Sequence, residues 1–229
     1  METQPIEPKA LSRQAYRLWV VSFLVMAAIF FIPAGTLAYW EAWLYMAVLL
    51  GPMLFVVPYM LKHSPQLLRR RMQMRERQSA QQAIIGVSSI FFLGIFVLPG
   101  LDQRFGWSSV PPLVVIAADA LVLLGYGLTI RVLVENEYAS RTIEVQEGQR
   151  VIATGPYAYV RHPMYLAVIL MVLASPVALG SWWAALLGVI IVPILVARIL
   201  NEEQVLAREL PGYAEYRQKV RYRLVPGVW

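Results

Sequence analysis

The sequence predicts an all-α fold, a polytopic transmembrane helical bundle of about five or six spans with a cofactor site on its cytosolic face. Three observations carry the fold class. Of the 229 residues, 59% are hydrophobic and only 15% charged, well under the roughly 25% charged of a soluble domain. Several stretches run without charge for about the 20 residues that a helix needs to cross a hydrocarbon core. The lysines and arginines crowd onto alternate connections, as they do where one side of a membrane is cytosolic.

Taken in order, the spans fall at residues 18–36, 41–61, 83–100, 110–131, 164–179 and 182–200. The first reads as a retained helix rather than a cleaved signal, because its apolar run exceeds a signal core and "FIPAGTLAYWEAW" leads straight into the second. The last two form a tight hairpin turning near Gly180 and Ser181, with Trp182 and Trp183 at the far interface. Each arm is short, about 25 Å at 1.5 Å per residue, and Pro176 and Pro193 are expected to kink the pair.

Orientation follows from the basic residues. Lys9, Arg13 and Arg17 precede the first span; "KHSPQLLRRRMQMRERQSAQ" carries Lys62, Arg69, Arg70, Arg71, Arg75 and Arg77. Arg131, Arg141, Arg150 and Arg161 follow the fourth span, six more run from Arg198 to Arg223, and Arg104 stands alone on the other side. This pattern predicts both termini in the cytoplasm, as in a bacterial inner membrane. The net charge of +6 is thus read as topology and contact with anionic headgroups, not as a nucleic-acid surface. The chain has no cysteine, which excludes disulfides, thiolate metal sites and a cysteine nucleophile. His63 and His162 are far apart and neither belongs to a ligand cluster, so no metal centre is expected.

Residues 1–100 read as an N-terminal transmembrane scaffold, and residues 101–229 as the region that carries the chemistry. Asp119 is the one acid well inside a span; it is expected to be hydrogen-bonded within the bundle to a tyrosine or serine, the functional alternative being a proton relay. The polar stretch 131–163 is too long for a connector, and its "RTIEVQEGQRVIATG" alternates around Gly148 as a short hairpin or extended loop would.

"GPYAYVRHPMY", residues 155–165, gathers the reactive polar groups. Proline disfavours helix for the residue before it and suits the first helical position. His162 is therefore expected to be extended and Pro163 to open the fifth span, leaving the Met164 and Tyr165 amides free to bind an anion. Arg161 adds a positive charge beside them, and Tyr157, Tyr159 and Tyr165 add flat faces and hydroxyls. At the other end of the hairpin, "ARILNEEQVLAREL" sets Arg198 and Glu202 four apart on one helix face, with Glu203 turned away by about 100°. The bland readings are an interfacial anchor and a surface ion pair worth less than about 1 kcal/mol. Closure of the hairpin would instead bring both clusters together at the cytosolic boundary.

"GPYAYVRHPMY" with "NEEQVLARELPGYAEYRQKV" resembles the isoprenylcysteine carboxyl methyltransferase family and its phospholipid-methyltransferase-like relatives, over roughly residues 125–220. The resemblance implies an integral membrane enzyme using S-adenosylmethionine and methylating a lipid or lipidated small molecule, foremost the carboxylate of an isoprenylcysteine-like or isoprenoid substrate. It implies cofactor contacts from Gln149, Arg150, Val151, Ile152, Tyr157, His162, Pro163, Met164, Tyr165 and Glu202, with Arg161 at the anionic end, and a substrate-facing role for Arg198. Arg198 and Glu202 are the residues expected to act in catalysis. Methyl transfer from a sulfonium is an in-line displacement that needs alignment and exclusion of water more than acid or base groups, so the lack of a catalytic triad is consistent with it. Two other readings compete. A membrane reductase of the sterol-reductase type shares the RHPxY element but binds NADPH, and the Glu202–Glu203 pair suits a 2′-phosphate poorly. A non-enzymatic transporter has only Asp119 in its support.

Overall fold

The computed structural model describes residues 8–63, 93–136, 138, 145–146 and 148–229. The helices are α1 (Pro8–Ala34), α2 (Trp40–Leu50), α3 (Met53–His63), α4 (93–105), α5 (Pro112–Glu135), α6 (Pro163–Ala178), α7 (Trp182–Glu209) and α8 (Tyr213–Lys219). A 3-10 turn, Gly155–Ala158, precedes α6. No strand occurs among the described residues, so the fold is the all-α bundle that the sequence predicts. Among the described residues, four stretches are long and apolar enough to cross a membrane: Leu11–Ala34, Trp40–Lys62, Pro112–Glu135 and Trp182–Glu209. The chain is an integral membrane protein. The basic residues Arg69, Arg70, Arg71, Arg75 and Arg77, the start of the expected span at 83–100, and Arg141 lie outside the described residues.

Two spans differ from expectation. The second is broken into α2 and α3 at Gly51–Pro52, where proline cannot donate to the helical ladder; the Val56 amide picks the ladder up again on the Pro52 carbonyl at 2.9 Å. The hairpin arms are also unequal. α6 has 16 residues and α7 has 28, running past its apolar stretch into the polar end Asn201–Glu209. Both arms stay helical through Pro176 and Pro193.

Lipid tails give apolar helices no hydrophobic reason to associate, so close backbone approach and interhelical hydrogen bonds must hold a membrane bundle together. α6 shows this on both flanks. A Cβ on Gly125 of α5 would stand 2.8 Å from Met171 Cγ and 3.0 Å from the Ala167 carbonyl; one on Gly188 of α7 would stand 2.8 Å from the Val172 carbonyl. The main core joins α1, α2, α5 and α6 through Phe30, Phe31, Tyr39, Tyr45, Val122 and Leu179. Within it the Tyr39 hydroxyl donates to the Leu179 carbonyl, and Tyr45 donates to Ser175 Oγ at 2.7 Å.

The far end is tied by a buried acid. Asp102 on α4 accepts from the Ser108 amide (2.7 Å), Ser108 Oγ (2.6 Å) and Ser181 Oγ (2.5 Å), and Ser181 Oγ in turn caps α7 by accepting from the Ala184 amide at 3.1 Å. The hairpin turns at Gly180, whose φ of +76° suits glycine, and Trp182 and Trp183 are exposed beside it.

Asp119 departs from the sequence reading. It is buried, 3% exposed, yet neither carboxylate oxygen has a hydrogen-bond partner among the described residues. Tyr45 and Ser175, polar groups of the adjoining core, are bonded to each other, and Ser175 also donates to the Met171 carbonyl at 2.6 Å.

Candidate active site

The turn before α6 is shaped by Gly155, which sits at φ +56° with Glu135 so close that a Cβ would lie 2.5 Å from its Oε2. Glu135 closes α5 and pairs with Arg131 at 3.0 Å. The turn is thereby pressed onto the end of α5, and Asn136 Nδ2 donates to the Tyr157 hydroxyl at 2.9 Å. The Tyr157 carbonyl accepts from the Tyr216 hydroxyl at 2.8 Å, which joins α8 to the same turn. Tyr159 is largely exposed, as an interfacial residue would be.

Pro163 is the first helical residue, as the sequence predicts, while His162 before it sits at φ −126°, ψ 59°, outside the helical region but not extended as expected. The two hairpin ends meet. The Tyr165 hydroxyl donates to Glu202 Oε2 at 2.6 Å and accepts from Arg198 Nε at 3.1 Å. The His162 and Tyr165 rings pack edge to face at 5.7 Å. Glu202 Oε1 lies 4.0 Å from His162 Nδ1, and the Glu202 side chain is 27% exposed. One wall of the site is therefore an accessible acid, an arginine and two aromatic rings.

Glu203 is the residue that sequence reasoning missed. Expected to be turned off the Arg198–Glu202 face, it is buried and is the hub of this end of the bundle: Oε1 accepts from Arg161 Nε at 2.7 Å and lies 3.3 Å from His162 Nε2, while Oε2 accepts from Arg223 Nε at 2.9 Å. Ile199, Leu206 and Leu210 share its stripe of α7 at spacings of four, three and four residues. That apolar periodicity is the available signal that position 203 faces inward. The positive charge of Arg161, expected to face an anion, is directed to Glu203 and to the carbonyls of Val220 and Arg221 at 2.9 and 2.7 Å.

The loop residues serve more than one role. Gln149 Oε1 accepts from the Gln146 amide at 2.8 Å and its own amide donates to the Gln146 carbonyl at 3.0 Å, closing a turn at Gly148. Val151 packs on the cluster of Leu210, Tyr213, Tyr216 and Val220. Arg150 is exposed, while Ile152 and Met164 are partly buried. In α8, burial pushes the phenols of Tyr213 and Tyr216 well above their ordinary range, and the Tyr213 hydroxyl has no hydrogen-bond partner among the described residues.

Glu203 lies beyond the apolar stretch of α7. Burial alone would raise its carboxyl, but the donors from His162, Arg161 and Arg223 outweigh that and hold it down at about 2. The folded value lies below the unfolded one, so the stabilisation is present above the ordinary glutamate range and disappears as pH falls through the folded value. Hydrogen exchange across residues 220–229, corrected for intrinsic rates, is expected to stay slow down to about pH 4 and to rise steeply below about pH 3. Exchange that accelerates already between pH 7 and 5 would show that another group controls the docking.

No curated protein matches the chain. A family model does: residues 115–208, which carry α6, nearly all of α7, the turn between α5 and α6, and all of Tyr165, Arg198, Glu202 and Glu203, match the Isoprenylcysteine carboxyl methyltransferase (ICMT) family.

Proposed function

We propose that the protein is an S-adenosylmethionine-dependent methyltransferase of the cytoplasmic membrane, with both termini cytoplasmic, acting on the carboxylate of a lipophilic acceptor of the isoprenylcysteine or isoprenoid class. The observation that carries this reading is the hydrogen-bonded set Arg198–Tyr165–Glu202 at the joined ends of the α6–α7 hairpin, inside the segment that matches the family. Residues 101–229 form the catalytic region and residues 1–100 its scaffold.

The donor set fits the cofactor. Glu202 offers a partly exposed carboxylate to an ammonium or to ribose hydroxyls, and the faces of Tyr157, His162 and Tyr165 suit an adenine or a sulfonium cation. The backbone of Met164 and Tyr165 at the start of α6, with Pro163 before them, suits the amino-acid carboxylate. Gln149, Arg150, Val151 and Ile152 would add cofactor contacts from the loop, and Arg161 acts indirectly by holding the turn. When bound, the cofactor supplies an electrophilic methyl carbon on sulfur. Arg198, fixed through Tyr165, orients the acceptor carboxylate by charge, and the hairpin excludes water from the line of attack. Alignment of this kind is the main demand of such a displacement.

Calorimetric titration of the detergent-purified protein with S-adenosylmethionine tests the reading. Binding is expected in wild type, and Glu202→Gln is expected to weaken it by about tenfold or more, as loss of a charge-assisted hydrogen bond worth about 1.5–3 kcal/mol requires. A wild-type protein that ignores this cofactor and binds NADPH would overturn the proposal. Labelled methyl groups should then appear in the lipid fraction of a membrane extract as base-labile esters.

A further inference from the structure

Residues 220–229 pack against the very turn that opens α6. The Arg161 amide donates to the Tyr222 carbonyl and the His162 amide to the Arg223 carbonyl, both at 2.9 Å. Arg223 reaches back to Glu203, its guanidinium carbon stands 4.9 Å over the Trp229 ring, and its amide donates to the Trp229 carbonyl at 2.9 Å. The segment thus folds on itself and holds the Arg161–His162 pair by backbone and side chain together. Its own anchorage is slight: only Val220 and Leu224 are buried apolar residues, while Tyr222, Val225 and Val228 are exposed. A segment with few buried apolar contacts opens at far lower free energy than the helices beneath it.

We propose that residues 220–229 are a strap that closes the cofactor site, and that Arg223 is a positioning residue which acts through Glu203 on His162. The inference rests on the methyltransferase reading and deepens it by naming what regulates that site. With the strap docked, Glu203 is held from three sides and His162 keeps its place between Glu202 and Glu203. With the strap released, Arg161 loses two carbonyl acceptors, Glu203 loses a cation, and the first turn of α6 loses the backbone bonds that fix its entry.

Linkage supplies a readout that a merely structural tail would not move. If strap docking favours cofactor binding, cofactor binding must favour strap docking by the same factor. In full-length protein in micelles, trypsin cuts after Arg221 and Arg223 report the opening by loss of the last residues in an intact mass spectrum. Saturating S-adenosylmethionine is expected to slow that loss about tenfold, and Arg223→Gln to weaken cofactor affinity by a similar factor. Arg223→Lys, which keeps the charge on Glu203, is expected to restore most of the affinity. Where wild type binds the cofactor, an unchanged rate of tail loss overturns the strap, and so does wild-type affinity in Arg223→Gln. Absence of binding by wild type overturns the cofactor reading itself, and this inference with it.

Discussion

Glu203→Gln is expected to lower stability by about 3–5 kcal/mol, the usual consequence of removing one member of a buried charge set and leaving the others uncompensated. The change is nearly isosteric, so packing is preserved and the loss is electrostatic. Arg161, itself buried, would keep its charge and its two carbonyl acceptors but lose its counter-ion, and Arg223 would lose its anchor. An amide also presents two N–H groups to a site made entirely of donors. Denaturant titration in mixed micelles, followed by far-UV circular dichroism, measures the effect, and an unaltered midpoint would show that Glu203 holds nothing. Hydrogen exchange should locate the damage in residues 155–165 and 210–229, with α1, α2 and α5 protected as before.

Asp102→Ala is expected to be the other large loss, about 2–4 kcal/mol, from the opposite end of the molecule. Three donors converge on this one carboxylate, two of them serine hydroxyls and one the Ser108 amide. Each buried donor left unsatisfied costs about 1–3 kcal/mol. Ser181 would keep the α7 cap but lose its own acceptor. Because the site lies at the other end of the hairpin, cofactor affinity measured at low temperature should not change, which separates this variant from Glu203→Gln. A midpoint within about 0.5 kcal/mol of wild type, the ordinary range for a surface substitution, would refute the role given to Asp102.

The spans are legible because an uncharged apolar run of about 20 residues matches the thickness of a hydrocarbon core, and the α6 start is legible because proline fixes its own neighbourhood. The meeting of Tyr165 with Glu202 follows from the hairpin and from residues four apart on one face. Three features are not legible in this way. Glu203 reads only as turned about 100° off the Arg198–Glu202 face; Ile199, Leu206 and Leu210 alone argue that it is buried, and no sequence rule announces that Arg223, 20 residues on, returns to pair with it. The break at Gly51–Pro52 sits inside an unbroken apolar run, where hydropathy is blind to backbone geometry. Asp119 reads as an acid that finds a donor, but the nearby hydroxyls are bonded to each other, a matter of packing that spacing alone does not decide.

The 16 residues of α6 extend about 24 Å at 1.5 Å per residue, less than the roughly 30 Å of an average hydrocarbon core. Gly125 and Gly188 clasp it so closely that it cannot slide along its neighbours to make up the difference. The 28 residues of α7 extend about 42 Å, so the hairpin is lopsided: the long arm can reach across by itself, and the short one ends wherever its two neighbours hold it.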